Sequence, residues 1–208
     1  MKLRNLFKRS VAIALLLCFL LTLFCACGKK ESGETVKISE MSRTELEESV
    51  VLCDYKDLDI TLDNKSKQEA ILSYINMHSA VKAYPAGTVE YYLGQLKTQY
   101  EYYANEAGVT YEAMLDELGE DNFTMQSDAK RLVKKDLIFE LIRRNEDITI
   151  SDEEKSEFFD KYVKKYAESY GYSEEYVREE LSNLVYESML YDKTVEFLIV
   201  NNNFIEAE

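Results

Sequence analysis

The strongest structural signal in this sequence is the run Arg131-Leu132-Val133-Lys134-Lys135-Asp136-Leu137-Ile138-Phe139-Glu140-Leu141-Ile142. At about 100° per residue, its apolar side chains spread round much of a helix circumference instead of forming one narrow stripe. Neighbouring elements must cover a helix that is apolar on most of its sides. The sequence therefore predicts a long, central helix from roughly Thr124 to Asn145, with Leu137 and Leu141 fully buried.

Amphipathic helices are predicted on both sides of this central helix. Each combines apolar residues at three- and four-residue spacing with a start or stop signal. The predicted helices are one capped by Asn64 or Ser66 that carries His78, one with Pro85 in its first turn and Gly108 at its end, a short one from Thr110 to Gly119, one opened by a Ser151–Glu154 capping box and stopped by Gly171, and one capped by Ser173 that ends at Asn201.

One segment carries the alternation that is typical of a strand. Leu58, Ile60 and Leu62 alternate with polar residues, shortly after the apolar run from Val50 to Cys53. Such a strand would be an edge remnant, or would pair with its own neighbour across Asp54-Tyr55. The predicted fold is all-α: an elongated multi-helix domain with one short N-terminal strand.

The N-terminus has the parts of a secretory signal: a basic start, an apolar run from Val11 to Phe24, and Ala26 as the small residue before a cut. The run Phe24-Cys25-Ala26-Cys27-Gly28 resembles the lipobox of bacterial lipoproteins, which implies that Cys27 becomes a diacylated, palmitate-bearing N-terminus. We expect a signal peptide over 1–26, a flexible tether over 27–49 and a helical domain over 50–208. The alternative is an uncleaved membrane helix, although Val11–Ala26 is slightly short of the ~17 to 25 residues that span a bilayer.

The charge balance argues against a nucleic-acid partner. Residues 1–26 contain four of the 25 Lys and Arg residues and none of the 39 Asp and Glu residues, so the chain from Cys27 onward has a net charge of −18. Binding to phosphate requires clustered Lys and Arg.

The usual sequence marks of an enzyme do not occur: there is no phosphate-binding glycine loop, no Cys or His cluster and no nucleophile elbow. We therefore predict no catalytic residue, cofactor or metal. Cys53 is expected to be a small buried residue in the strand, with a Cys53–His78 catalytic pair as the alternative. His78 itself is expected to pack on its helix.

The order of the segments resembles that of the C-terminal, substrate-cradling domain of trigger factor, a bacterial folding chaperone, over about residues 53–204. The similar segments are Cys53 to Ile60, the Pro85 helix through Leu96, Gly108 to Met114, Ala129 to Ile138, Ile148 to Glu154, and the closing helix from Leu190 to Phe204. The helical substrate domains of exported SurA-type chaperones are similar as well. The resemblance implies an all-α domain that binds unfolded polypeptides.

The chain differs from trigger factor in one segment that bears on enzyme activity. In that family an isomerase domain of about a hundred residues follows the first strand, whereas 22 residues separate Leu62 from Pro85 here. A segment of that length is below the ~40 residues that an unaided fold needs. The signal and tether stand where the family has its ribosome-binding domain.

Three functions follow from these observations. The first is a membrane-anchored, extracytoplasmic holdase for unfolded or nascent exported polypeptides, attached to the cell membrane through its N-terminal lipid. The alternatives are a surface lipoprotein that docks one envelope partner and a folding factor related to prolyl isomerases. Because tyrosine gives broad apolar contact with few rotamers to freeze, the candidate peptide-binding residues are Tyr91, Tyr102, Tyr103, Tyr162 and Tyr166.

Overall fold

The computed structural model describes residues 35–206, so the predicted signal peptide and Cys27 lie outside the described residues. This part of the chain forms eight α-helices and four short strands: α1 Arg43–Ser49, β1 Val50–Val51, β2 Asp59–Thr61, α2 Lys67–His78, β3 Ala80–Val81, α3 Thr88–Ala107, α4 Tyr111–Leu118, α5 Asn122–Asn145, α6 Asp152–Tyr170, α7 Glu174–Glu180, α8 Ser182–Val200 and β4 Asn203–Ile205. A 3₁₀ turn, Ile38–Glu40, precedes α1. The all-α prediction is confirmed.

The chain divides into two compact units. Of the described residues, Thr35 and Ala86–Leu132 form one, which we call the α3 unit. The larger unit consists of Val36–Pro85 and the chain from Val133 onward. Helix α5 begins in the α3 unit and ends in the larger one.

The core of the larger unit is built round the second half of α5. All six residues from Leu137 to Ile142 are buried, as expected of a helix that is apolar on most sides. Helix α6 packs against α7 and α8, and α2 packs against α8. Other fully buried side chains of this unit include Leu46, Val50, Ile71, Ile75, Val133, Val163, Val177, Leu184 and Leu198.

One charged residue lies within the buried run of α5. The Glu140 carboxylate is 3.2 Å from Arg143 Nη2 and 2.8 Å from Arg144 Nε, and Arg143 Nη1 is 3.4 Å from Glu187 Oε2. These pairings compensate the cost of burying the Glu140 charge. Burial raises the pKa of Glu187, and the Arg143 guanidinium partly offsets that rise.

The strand pairings differ from those predicted. β1 pairs antiparallel with β3, and β2 pairs parallel with β4, with Ile60 opposite Phe204. The hairpin across Asp54-Tyr55 is therefore wrong. Asn202 holds the β2–β4 pair from the side, because its amide accepts from Leu58 N (2.9 Å) and donates to Tyr55 O (2.9 Å).

Two predicted helix boundaries are also wrong. Pro85 precedes α3 instead of opening it, and the N-cap of α3 is Gly87, in the left-handed region at φ 73°. The predicted last helix is broken at Leu181 into α7 and α8. Gly108, Gly119, Gly171 and the Ser66 and Ser151 caps stand where the sequence predicts them.

Part of the predicted tether is folded. Ser42 and Glu45 form a capping box that opens α1, where the sequence allows a short helical turn. Ile38, Met41 and Leu46 are buried in the larger unit, and Arg144 Nη2 donates to Ser39 O at 2.8 Å. The folded region therefore begins before residue 50, and the boundary predicted between tether and domain lies too late in the sequence.

Candidate functional site

The candidate site lies on α3, and the core-facing side of this helix fixes which residues are left outside. Val89, Leu96, Tyr100 and Ala104 are buried in the α3 unit at four- and seven-residue spacing. Helix α3 packs against α4, and Met114 of α4 is also buried. Since the core takes this face, the opposite side of α3 faces solvent.

A row of uncharged residues runs along that exposed side. We call it the α3 stripe; it consists of Tyr91, Gly94, Thr98, Tyr102 and Asn105, all exposed. Tyr102 is 11 positions after Tyr91, which is close to three full turns, so both lie on one face about 16 Å apart along the axis. Tyr91 is 36% and Tyr102 60% exposed. Both rings therefore lie off the buried side of the helix.

Each stripe tyrosine has an aromatic neighbour next to it in sequence. The Tyr91 and Tyr92 rings meet edge to face with centroids 5.4 Å apart, and the Tyr102 and Tyr103 rings do so at 5.8 Å. Tyr103 is half-buried and its hydroxyl accepts from Gln99 Nε2 at 3.3 Å. These contacts restrict the rings before any ligand arrives, which lowers the entropy cost of binding on them.

Gly94 is a residue of this site that the sequence interpretation missed. A glycine in a helix interior costs roughly 0.5–1 kcal/mol relative to alanine. At Gly94 an added Cβ would meet nothing within 4 Å, so packing does not require the glycine. It leaves the backbone open to a close approach between Tyr91 and Thr98. A glycine flanked by tyrosines inside a helical pattern is the signal that could have identified it.

The surroundings of the stripe are acidic. Ala86–Leu132 contains nine Asp and Glu residues against three Lys and Arg residues. Beneath the stripe, burial and then the Glu120 and Asp128 carboxylates raise the pKa of Tyr100 to about 12. This buried phenol is therefore neutral at any physiological pH and serves as part of the core.

The remaining two predicted peptide-binding residues lie on α6 in the larger unit. Tyr162 is half-buried and donates to Asp192 Oδ2 at 2.7 Å; burial and then this hydrogen bond raise its pKa. Tyr166 is buried and its hydroxyl is hydrogen-bonded to Ser188. Tyr166 is thus a core residue, and the prediction that it contacts peptide is corrected because α8 covers it.

Other exposed aromatic residues were not identified from the sequence. Phe123, at the start of α5, is the most exposed large apolar residue of the α3 unit. In the larger unit, Tyr172 and Tyr176 are 45% and 40% exposed, with ring centroids 5.1 Å apart. Helical periodicity gives no signal for these three, because they lie at or near helix ends.

Cys53 and His78 have separate, local contacts. Cys53 is half-buried and lies between β1 and β2 instead of within a strand, which corrects the expected buried strand position. Its Sγ accepts from Ser79 Oγ at 3.5 Å. The His78 ring stacks on Tyr74, with centroids 4.1 Å apart, and its Nδ1 lies 2.8 Å from Tyr74 O. Within residues 35–206 no group of three acidic, His or Cys side chains is placed to hold a metal ion.

The helical fold and the exposed, uncharged aromatic stripe define a class of protein: an all-α domain with a surface suited to polypeptide segments. The sequence model of the family described as bacterial trigger factor protein (TF) C-terminus matches residues 60–200, about two thirds of the chain. This chain belongs to that family. The match omits residues 53–59, which also resemble the family's first strand.

Membership of this family indicates the general function of the domain. The C-terminal domain of trigger factor is its substrate-binding part, which binds unfolded polypeptides, and it is distinct from the isomerase domain. No curated protein and no solved structure matches this chain. No helix among residues 35–206 has both the length and the apolar character that a membrane span requires.

Proposed function

We propose that this protein is a membrane-anchored holdase chaperone that binds unfolded exported polypeptides on the extracytoplasmic side of the cell membrane. The observation that carries the binding surface is the α3 stripe, where Tyr91 and Tyr102 are exposed on one face with Gly94 and Thr98 between them. Tyrosine tolerates water through its hydroxyl and offers a broad ring to many side chains. Both properties suit loose binding with little sequence preference.

The holdase needs no catalytic group, because shielding an apolar segment is a matter of contact. The stripe, from Tyr91 to Asn105, is about 21 Å long, which corresponds to about six residues of an extended polypeptide. Binding of this kind is brief and repeated, so a client is protected from aggregation without being held in one arrangement. The net charge of −6 in Ala86–Leu132 favours clients with basic residues beside their apolar ones.

The binding surface is tested by the double substitution Tyr91→Ala with Tyr102→Ala in a soluble chain that begins at Glu31. We expect weaker suppression of aggregation for several unrelated clients, such as reduced insulin and thermally unfolded citrate synthase. The free energy of unfolding should fall by less than about 1 kcal/mol, because exposed substitutions have small effects. A salt titration should weaken binding of basic clients more than that of neutral ones.

The matched control is Tyr172→Ala with Tyr176→Ala, an exposed aromatic pair outside the α3 unit. This control should suppress aggregation as well as the parent protein does. Full activity of the Tyr91/Tyr102 variant would refute the stripe as the site. A parent protein that ignores all unfolded clients but binds one envelope protein tightly would favour the docking alternative.

The membrane anchor is the second part of the proposal. It is supported by the signal-like N-terminus and by the lipobox resemblance around Cys27. Two acyl chains on one residue suffice for stable attachment to a bilayer. Cys27→Ala should leave the protein unprocessed or released from the membrane fraction. Unchanged mature size and unchanged membrane association in that variant would contradict the anchor.

A further inference from the structure

We infer that the α3 stripe receives polypeptide segments that are still emerging from the membrane that carries the anchor, in preference to clients free in solution. This inference rests on the proposed function and adds the location of the client. Two observations carry it: Thr35 lies against the start of α3, and only eight residues lead from Cys27 to Thr35.

The described chain begins in contact with the start of α3. A Cβ placed on Gly87 would lie 3.0 Å from Thr35 Cα and 3.0 Å from Thr35 Oγ1, so Thr35 is packed directly on the N-cap of this helix. Both residues belong to the α3 unit. The segment from Cys27 to Thr35 therefore meets the described fold at the end of α3 that carries Tyr91.

Covalent geometry limits how far this junction can be from the bilayer. Eight residues lead from Cys27 to Thr35, and whatever their conformation they cannot span more than about 29 Å. Tyr91 is about one helical turn, or roughly 6 Å, beyond Gly87. Including the Thr35–Gly87 contact, the Tyr91 backbone lies within about 40 Å of the lipidated residue.

Because the stripe is held this close to the bilayer, clients at the same membrane can reach it more readily than distant ones. An extended chain covers 40 Å in about 12 residues, so a segment that has emerged by that length can reach the stripe. Tethering two partners to one surface also turns their meeting into an event of high effective concentration, which a short linker increases. A client free in solution gains nothing from the anchor.

The test varies the tether in the full, lipidated protein. An insertion of about 20 Gly and Ser residues between Gly33 and Glu34 adds a flexible segment to the link between Cys27 and Thr35 without touching the described fold. A photoreactive side chain at Thr98, in the middle of the stripe, reports on contact. The probe is an unstructured basic-apolar peptide of about 30 residues, used either free or with its own lipid chain in vesicles of phosphatidylglycerol and phosphatidylcholine.

Lengthening the link from eight to 28 residues should lower cross-linking to the vesicle-bound peptide about twofold, because the reach of a flexible link grows as the square root of its length and spreads the stripe over a thicker layer above the bilayer. Cross-linking to the free peptide should stay unchanged. Equal cross-linking of the vesicle-bound peptide with both tethers would overturn the inference while leaving the holdase intact. Failure of both peptides to cross-link with the native tether would overturn the proposed binding surface and, with it, the inference; cross-linking of the free peptide alone would overturn the inference.

Discussion

Gly87→Ala should destabilise the α3 unit clearly more than Gly119→Ala does, although the two glycines have the same backbone conformation. Both have φ 73°. An alanine in this left-handed region costs roughly 1–2 kcal/mol, and that cost is common to both variants. Because both residues belong to Ala86–Leu132, the pair also shares its surroundings in the α3 unit.

The two glycines differ in what an added methyl group would meet. At Gly119 a Cβ has nothing within 4 Å, whereas at Gly87 it meets Thr35 Cα at 3.0 Å, Oγ1 at 3.0 Å and Cβ at 3.3 Å. Since a backbone atom is among these, relief requires the chain at Thr35 to move. Overpacking of this kind costs typically about 1–3 kcal/mol. We therefore expect a loss of about 1–2 kcal/mol for Gly119→Ala and about 2–5 kcal/mol for Gly87→Ala.

Native-state hydrogen exchange of the amides in α3 and α4 measures this difference, because it reports the opening free energy of that unit itself. A double-mutant cycle adds Thr35→Gly, which removes Oγ1 and Cβ and should recover part of the excess loss at Gly87. Equal losses at Gly87 and Gly119, with no recovery by Thr35→Gly, would refute the packing of Thr35 on α3. The tether would then not be fixed at that end of the helix.

Two further predictions concern the larger unit. Leu137→Ala should cost about 2–5 kcal/mol of unfolding free energy in urea, because Leu137 is 0% exposed, whereas the control Met77→Ala at 73% exposure should cost less than about 0.5 kcal/mol; a loss below ~1 kcal/mol at Leu137 would remove α5 from the core. The hydrogen bond from Lys193, and then that from Ser151 N, lowers the pKa of Glu154 to about 2. A lowered carboxyl pKa stabilises the fold above pH 4.5 and stops doing so as the pH falls toward 2. Glu154→Gln should therefore lower the thermal midpoint at pH 7 and differ little from the parent near pH 2, with the exposed Glu157→Gln as control; a midpoint difference independent of pH would contradict the Glu154 pKa.

The helix starts and stops were predictable because their signals are local. The Ser151 side chain accepts from Glu154 N, three residues away, and Gly171 ends the same helix with φ 70°. Burial of Leu137 followed from periodicity alone, since a helix that is apolar all round has no solvent side. Each of these features depends on residues within one or two helical turns.

The features that could not be predicted from the sequence depend on contacts between residues that are far apart in the chain. β2 pairs with β4 across more than 140 residues, with Asp59 opposite Asn203. A three-residue strand is too short for its alternation to be recognised in the sequence. Nothing in the residue types marks the break at Leu181, where no glycine or proline stands. Tyr166 lies on the predicted apolar face of α6, but its burial depends on α8, where Ser188 is hydrogen-bonded to its hydroxyl.

The dimensions of the α3 stripe favour the proposed holdase over the alternative of a dock for one fixed partner. With a length of about 21 Å and the width of one helix, about 10 Å, the stripe offers on the order of 200 Å². A stable protein–protein interface needs about 800 Å² on each partner. The stripe falls well short of that area, yet it matches a segment of about six extended residues. Gly94 adds to this argument, because at a solvent-facing helix position an alanine would stabilise the fold by roughly 0.5–1 kcal/mol and would meet no neighbour. A surface that combines small area, exposed rings and an open backbone is suited to weak contacts with many short segments, and this is the binding that a holdase requires.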